Sequence, residues 1–328
     1  MIKKVTLIGG GTGTYVVLSG LKKYPVSLGV VVSMFDSGGS TGRLRDQLGV
    51  LPPGDLRQCL MALSEAPILW RKLFLYRFEK GDLAGHNFGN IFLSVLEKIS
   101  NNYQAVVDKA SFILKTKGEV IPVTFQQAHL CALYKNGKLV EGEGQIDKNF
   151  QEKSAIIKAY LKPEPKANSK AIKRILQSDF IIVGPGDLYT SIVPVLLVRG
   201  LKEALSQTKA KIIYILNLMT KRGQATDYKG SNYLKDVSFY LGRSPDAIII
   251  NNGKIPKKIL AWYKKYKEKQ VIDDIGDKIF TGQVYRADLV DKKKIEINKA
   301  DFFVDPGSRS VLRHDSLKLA KILSKIII

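Results

Sequence analysis

Two cysteines and three histidines in 328 residues leave little material for redox or metal chemistry. Cys59 and Cys131 make no disulfide framework, and no His/Cys/carboxylate set falls at structural zinc spacing. Long hydrophobic runs are missing too: stretches such as Ile248–Ile250 and Ile181–Val183 are far too short to cross a bilayer. Met1-Ile2-Lys3-Lys4 leads into a strand-like run instead of a signal segment. The expectation is a cytoplasmic protein without membrane insertion. Negative charge is scarce, with 30 Asp and Glu against 52 Lys and Arg for a formal net charge of +22. Such a field attracts nucleic acid, anionic membrane or phosphorylated metabolites. The lysines are scattered, as in Lys254, Lys257, Lys258, Lys264, Lys265, Lys267 and Lys269, and no RNA-binding aromatic signature or zinc-finger spacing accompanies them. That favours solvated faces that steer small anions over a nucleic-acid surface.

What is present alternates between β-branched runs and helical patterns. Val5–Ile8, Leu28–Met34, Phe180–Val183, Lys211–Leu216 and Asp246–Ile250 read as strands buried on both faces of a parallel sheet. Helical stretches separate them, among them Thr14–Lys23 and the period-3.6 set Val106, Val107, Ala110, Ile113 and Leu114. This rhythm predicts an α/β, Rossmann-like, doubly wound and mainly parallel sheet in a single domain over 1–328. The middle breaks it. Val120–Thr124, Gln127–Tyr134 and the Asn136-Gly137 hairpin signal predict an antiparallel β excursion at about 119–162. Asp315–Ile328 reads as an amphipathic closing helix.

Five loops at strand ends carry the functional signal. Gly9-Gly10-Gly11-Thr12-Gly13 lies between the first strand and its helix, where glycines let the backbone approach a phosphate and the helix start offers free N–H groups. It is an incomplete dinucleotide fingerprint, since Thr14 occupies the third glycine position, and it lacks the Lys-Ser/Thr pair of a Walker loop. The second loop is Asp36-Ser37-Gly38-Gly39-Ser40-Thr41-Gly42-Arg43. Asp36 stands where a ribose-reading carboxylate belongs, and the glycines, Ser40, Thr41 and Arg43 suggest a second anion cradle. Arg45 and Asp55 read equally as site residues or as a surface arginine and a helix cap. The other loops are Gly184–Ser191, Asn217–Thr220 and Asn251–Gly253, all expected on the carboxyl edge of the sheet. In Gly85-His86-Asn87-Phe88-Gly89-Asn90, His86 or Asn90 is a ligand contact or a loop support; His129 reads as structural.

Those motifs, with Leu51–Asp55 and Leu312-Arg313-His314-Asp315, run in order along a chain that resembles the YvcK-like gluconeogenesis-factor family, relatives of the CofD 2-phospho-lactate transferases. The resemblance implies a Rossmann-like protein that binds a UDP-sugar such as UDP-N-acetylglucosamine. It also implies a regulatory link to gluconeogenic carbon use, cell shape and wall synthesis. With the loops read above, the candidate phosphate or nucleotide contacts are Gly10, Gly11, Thr12, Gly13, Asp36, Gly38, Gly39, Ser40, Thr41, Arg43, Asn90, Gly184, Gly186 and Asn217. The resemblance carries a sugar-binding tyrosine to Tyr263, with Tyr266 the other register, and an arginine to Arg313. Ser37, Asn87, Val195 and Tyr233 depart from the family pattern, and Ser37 weakens a two-carboxylate Mg²⁺ site. Catalytic residues stay unassigned, as does the choice between monomer and homodimer. The rivals are a CofD-like transferase and an NAD-binding dehydrogenase.

Overall fold

The computed structural model describes residues 1–292 and 311–328. Its strands are β1 (Lys4–Gly9), β2 (Ser27–Val32), β3 (Glu119–Pro122), β4 (His129–Tyr134) and β5 (Leu139–Glu141). They continue with β6 (Ile156–Lys162), β7 (Phe180–Val183), β8 (Lys211–Ile215), β9 (Ala247–Asn251) and β10 (Gln283–Ala287). In β1 and β2 every residue after the first is buried, as a strand covered by helices on both faces requires.

The main sheet runs β10-β9-β8-β7-β1-β2-β3, with every pairing parallel. From β1 the chain builds outward through β2 to β3. It then returns to the opposite side of β1 and builds outward again from β7 to β10. The winding reverses between β1 and β7, which pair from Val5↔Phe180 to Ile8↔Val183. The loops leaving those two strands therefore open a crevice at the carboxyl edge, where ligands of such sheets bind.

Two expectations shift. The run at Val120–Thr124 belongs to the main sheet, not to the excursion: β3 pairs with β2 from Gly29↔Glu119 to Val32↔Pro122. Its apolar residues suit either sheet, so only the tertiary partner decides. The excursion is β4 to β6, in the order β5-β4-β6, antiparallel, turning at Gly137 with φ +85°. β10, a half-exposed edge strand, carried no clear periodic signal.

The small sheet packs on the body of the protein. Leu130, Ala132, Ile156, Ala159 and Leu161 join the main core, and the Tyr134 hydroxyl donates to the Gly223 carbonyl at 2.8 Å. A short helix, Glu143–Asp147, hangs between β5 and β6. At the other end, Asp315 caps the helix Ser316–Ile327 by accepting from the Leu317 and Lys318 amides. That helix lies against Gly11–Leu21 so closely that a β-carbon on Gly20 would collide with the Ser316 carbonyl. The segment just before it, Leu312–His314, is thereby brought back to the crevice.

Candidate functional site

Three helices start at one cleft of about 760 Å³: Gly11–Leu21, Gly39–Leu48 and Gly54–Leu63. Their leading residues Gly10, Gly38 and Pro53 provide no side-chain cap. First-turn N–H groups there need partners from elsewhere, and the helix starts favour negative charge. Asp55 supplies one partner, its Oδ1 accepting from the Gly11 amide at 2.7 Å. The close approach needs a bare backbone: a β-carbon on Gly10 would collide with Asp55, and one on Gly13 with the Pro185 carbonyl. Gly13 thus lets the β1 and β7 loops touch.

Of the sequence-predicted residues, Gly10, Gly11, Thr12, Gly13, Asp36, Gly38, Gly39, Ser40, Thr41, Asn90, Gly186, Asn217, Tyr263 and Arg313 line this cleft. Arg43 does not. It lies further along its helix, donates Nη2 to the Ala84 carbonyl at 2.8 Å, and borders an adjoining hollow of about 390 Å³ instead. Arg45 is paired with Asp46 at 2.7 Å. Gly184 sits behind the wall at φ +75°, a left-handed turn that glycine adopts readily.

Several side chains act through others. Ser40 Oγ lies 3.2 Å from His86 Nδ1, and Asn90 Nδ2 donates to Ser40 and Thr41 at 3.3 and 3.4 Å. Arg57 Nε donates to Asn90 Oδ1 at 2.8 Å. This network braces the second glycine loop from beneath. Tyr263 is only 2 % exposed and packs with Leu218, Met219, Ile259 and Leu312. Its hydroxyl accepts from the Leu312 amide at 3.0 Å, which fixes the backbone next to Arg313. Burial, ahead of the Leu312 bond that opposes it, pushes that phenol up to about 12. Tyr266 packs against Trp262 with its ring tilted 50° and the centroids 4.7 Å apart, and it is not among the cleft residues.

The surprise is negative charge. In a chain of net charge +22, Asp36, Asp55, Glu143, Asp147, Asp187 and Glu268 all line this one cleft. Asp36 Oδ1 accepts from the Gly38 amide at 2.9 Å, and Glu143 Oε2 accepts from the Ser37 amide at 3.1 Å. Burial, and then mutual repulsion with Asp36, raises Asp55 to about 7 and Glu143 well above its usual range. Deeper along the wall stands Lys221, its Nζ 3.2 Å from Asp147 Oδ1 and 3.6 Å from Asp187 Oδ2. Burial opposes its charge, but Asp187, Asp147 and Glu268 outweigh that and hold it protonated. Burial still lifts Asp147 to about 6 and Glu268 to about 7, because one ammonium does not neutralise three carboxylates. Glu143, Asp147, Lys221 and Glu268 belonged to none of the glycine motifs; the one signal was the position of Lys221 directly after the strand-end loop Asn217–Thr220.

Among the described residues, no set of three or more His, Cys, Asp or Glu stands at metal-holding geometry. Asp36, Asp55 and Glu143 each already commit one oxygen to a backbone amide. As arranged, these residues do not form a Mg²⁺ cage.

The reversing parallel sheet and its crevice of helix starts define a Rossmann-like α/β protein. The chain belongs to the family described as 2-phospho-L-lactate transferase CofD, whose family model matches residues 5–290. It is 35% identical over 328 residues to the gluconeogenesis factor of Bacillus subtilis strain 168, covering 99% of this chain and 98% of that one. The gluconeogenesis factor of Halalkalibacterium halodurans is 38% identical over 275 residues, 83% of this chain and 84% of its own. A crystal structure of a UPF0052 family member from Bacillus halodurans superposes with a TM-score of 0.88 at 33% identity, covering 99% of both chains. No helix among the described residues is long and apolar enough to cross a membrane.

Proposed function

We propose that this protein is a nucleotide-sugar-binding regulator of the gluconeogenesis-factor kind, tied to carbon use, cell shape and wall synthesis, with a UDP-sugar such as UDP-N-acetylglucosamine as its ligand. The observation that carries the reading is the meeting of uncapped helix starts, at Gly11 and Gly39, in one cleft large enough for a dinucleotide-sized molecule. Diphosphate oxygens would take the amides at Thr12–Gly13 and Gly39–Thr41. Arg313, held through Tyr263 and Leu312, would close on the ligand with charge-assisted hydrogen bonds. Titration calorimetry with UDP-N-acetylglucosamine tests this, on the wild type and on Arg313→Ala. Absence of heat with the wild type overturns the reading, and unchanged affinity in the variant removes Arg313 from the site.

A second reading, a CofD-type transferase, is favoured by the carboxylates at the glycine loops. In that reading Asp55, raised to about 7 by burial and by Asp36, would exchange a proton with a ligand hydroxyl at the phosphate end. Turnover of a guanylated phospholactate donor with a deazaflavin acceptor and Mg²⁺ would establish it. A nicotinamide enzyme fits least: Thr14 fills the third glycine position, and its hydroxyl is spent on the Gly10 carbonyl at 3.1 Å.

A further inference from the structure

The cleft has two chemically different ends. Around Gly10–Gly13 and Gly38–Thr41, backbone amides and helix starts suit an anion. The wall formed by Asn217 and His314 presents polar side-chain atoms of another kind. Asn217 donates Nδ2 to the Gly186 carbonyl at 2.8 Å. A carbonyl only accepts, so this bond fixes the amide orientation and makes Oδ1 the atom left over. Asn217 Oδ1 is buried and has no hydrogen-bond partner. His314, 6 % exposed, lies against the Leu216 backbone one residue before Asn217, and its Nε2 is likewise buried without a partner. Burial lowers the imidazole to about 4, so the ring is neutral at physiological pH. Both residues line the cleft.

Buried polar atoms are nearly always hydrogen-bonded in proteins, so an unpartnered pair in a ligand crevice marks what the missing ligand brings. Asn217 Oδ1 requires a donor. The neutral imidazole nitrogen donates or accepts according to its tautomer. An ionised phosphate oxygen has no proton to give, so it leaves Asn217 Oδ1 without a donor. Sugar hydroxyls can meet both: one donates to Asn217 Oδ1, and the same or a neighbouring hydroxyl pairs with His314 Nε2 in the sense its tautomer requires.

We infer that Asn217 and His314 form a hydroxyl-reading corner that binds the uncharged sugar portion of a phosphorylated ligand and sets its direction in the cleft. The phosphates lie at the glycine loops and the polyol at the Asn217–His314 wall. This rests on the nucleotide-sugar reading above and adds to it the residues that choose the sugar and the polarity of binding.

Three histidines in the chain make the test direct. The protein, labelled with ¹⁵N-histidine, is titrated with UDP-N-acetylglucosamine, UDP and pyrophosphate, with His314→Gln used to assign the His314 nitrogens. The expected result is a shift of His314 Nε2 with UDP-N-acetylglucosamine and none with pyrophosphate. In parallel calorimetry, Asn217→Leu and His314→Phe lose about tenfold or more in affinity for the nucleotide sugar, as sites built to bond a hydroxyl do when a partner is lost. Their pyrophosphate affinity holds within about twofold, less than 0.5 kcal/mol by the same conversion. Loss of UDP affinity as well places the ribose at the corner; loss confined to UDP-N-acetylglucosamine places the hexose there. Either supports the inference. Nucleotide-sugar binding with an unmoved His314 signal and unchanged variants overturns the corner alone. An equal loss of pyrophosphate overturns it too, because the corner then serves phosphate. No binding of any probe to the wild type overturns the function reading and the corner with it.

Discussion

Asp55 Oδ1 accepts a hydrogen bond from the Gly11 amide at 2.7 Å, so the carboxylate that opens one helix holds the loop that opens another. Asp55 lies 44 residues from Gly11 in the chain, next to the Cβ position that Gly10 leaves empty. A negative group thus occupies part of the space that an anionic ligand would use. That makes the ligand-free cleft sensitive to proton concentration.

The sign follows from the direction of the shift. Asp55 sits at about 7 when folded against 3.8 for the ordinary carboxyl, so the folded state binds more protons between those values. Stability from this group is present at low pH and is lost as pH rises through about 7, at most about 1.4 kcal/mol per pH unit. His314 runs the other way, gaining stability from pH 4 to 6.5 because it is buried neutral. Comparison with Asp55→Asn isolates the carboxylate. The melting temperature of the variant should rise relative to wild type from pH 5 to pH 8. A constant difference across that range would refute the assignment.

Lys221 should be the most sensitive charged residue of the cleft. Lys221→Met removes the cation between Asp147 and Asp187 and leaves both carboxylates and Glu268 buried together. Loss of about 3–5 kcal/mol is expected for breaking a buried ionic cluster from one side. Urea unfolding at pH 7.5 measures it, and the defect should shrink at pH 5, where Asp147 and Glu268 take up protons more readily.

Gly54→Ala tests how tightly the second and third helix starts are joined. The added carbon would collide with Asp36 Oδ2 and Thr41 Oγ1. Overpacking of this sort costs about 1–3 kcal/mol. Because it also pushes the Gly38–Thr41 loop, nucleotide-sugar affinity should fall with it. Gly81→Ala meets nothing within 4 Å but has φ +72°, so it serves as a control for backbone strain without crowding.

Tyr263→Phe keeps the ring and removes only the hydroxyl that accepts from the Leu312 amide. A stability loss of about 1–3 kcal/mol is expected for leaving a buried donor unpaired. Calorimetry should then find weaker UDP-N-acetylglucosamine binding, with a smaller effect than Arg313→Ala, since the tyrosine works by positioning the Arg313 backbone. An effect equal to Arg313→Ala would instead put the hydroxyl on the ligand.

Local chemistry wrote much of this protein into its sequence. Runs such as Val5–Ile8 and Ile248–Ile250 are buried on both faces because nothing else accommodates them, and glycines at strand ends open helices wherever a backbone must come close. That was enough to read a parallel sheet, its glycine loops and the cleft residues from Gly10 to Asn217. Tertiary structure decided what local pattern leaves free. The Glu119–Pro122 strand pairs with β2, a choice its apolar residues left open between the two sheets. Arg43 turned out of the cleft because it lies on the outer side of a helix whose inner side is Ser40 and Thr41. The acid-rich wall of Glu143, Asp147 and Glu268 came from segments that only folding brings together, and charges carry no periodic signal of the distant partners they will meet. The glycine loops were legible; the electrostatics of the space between them was made by the fold.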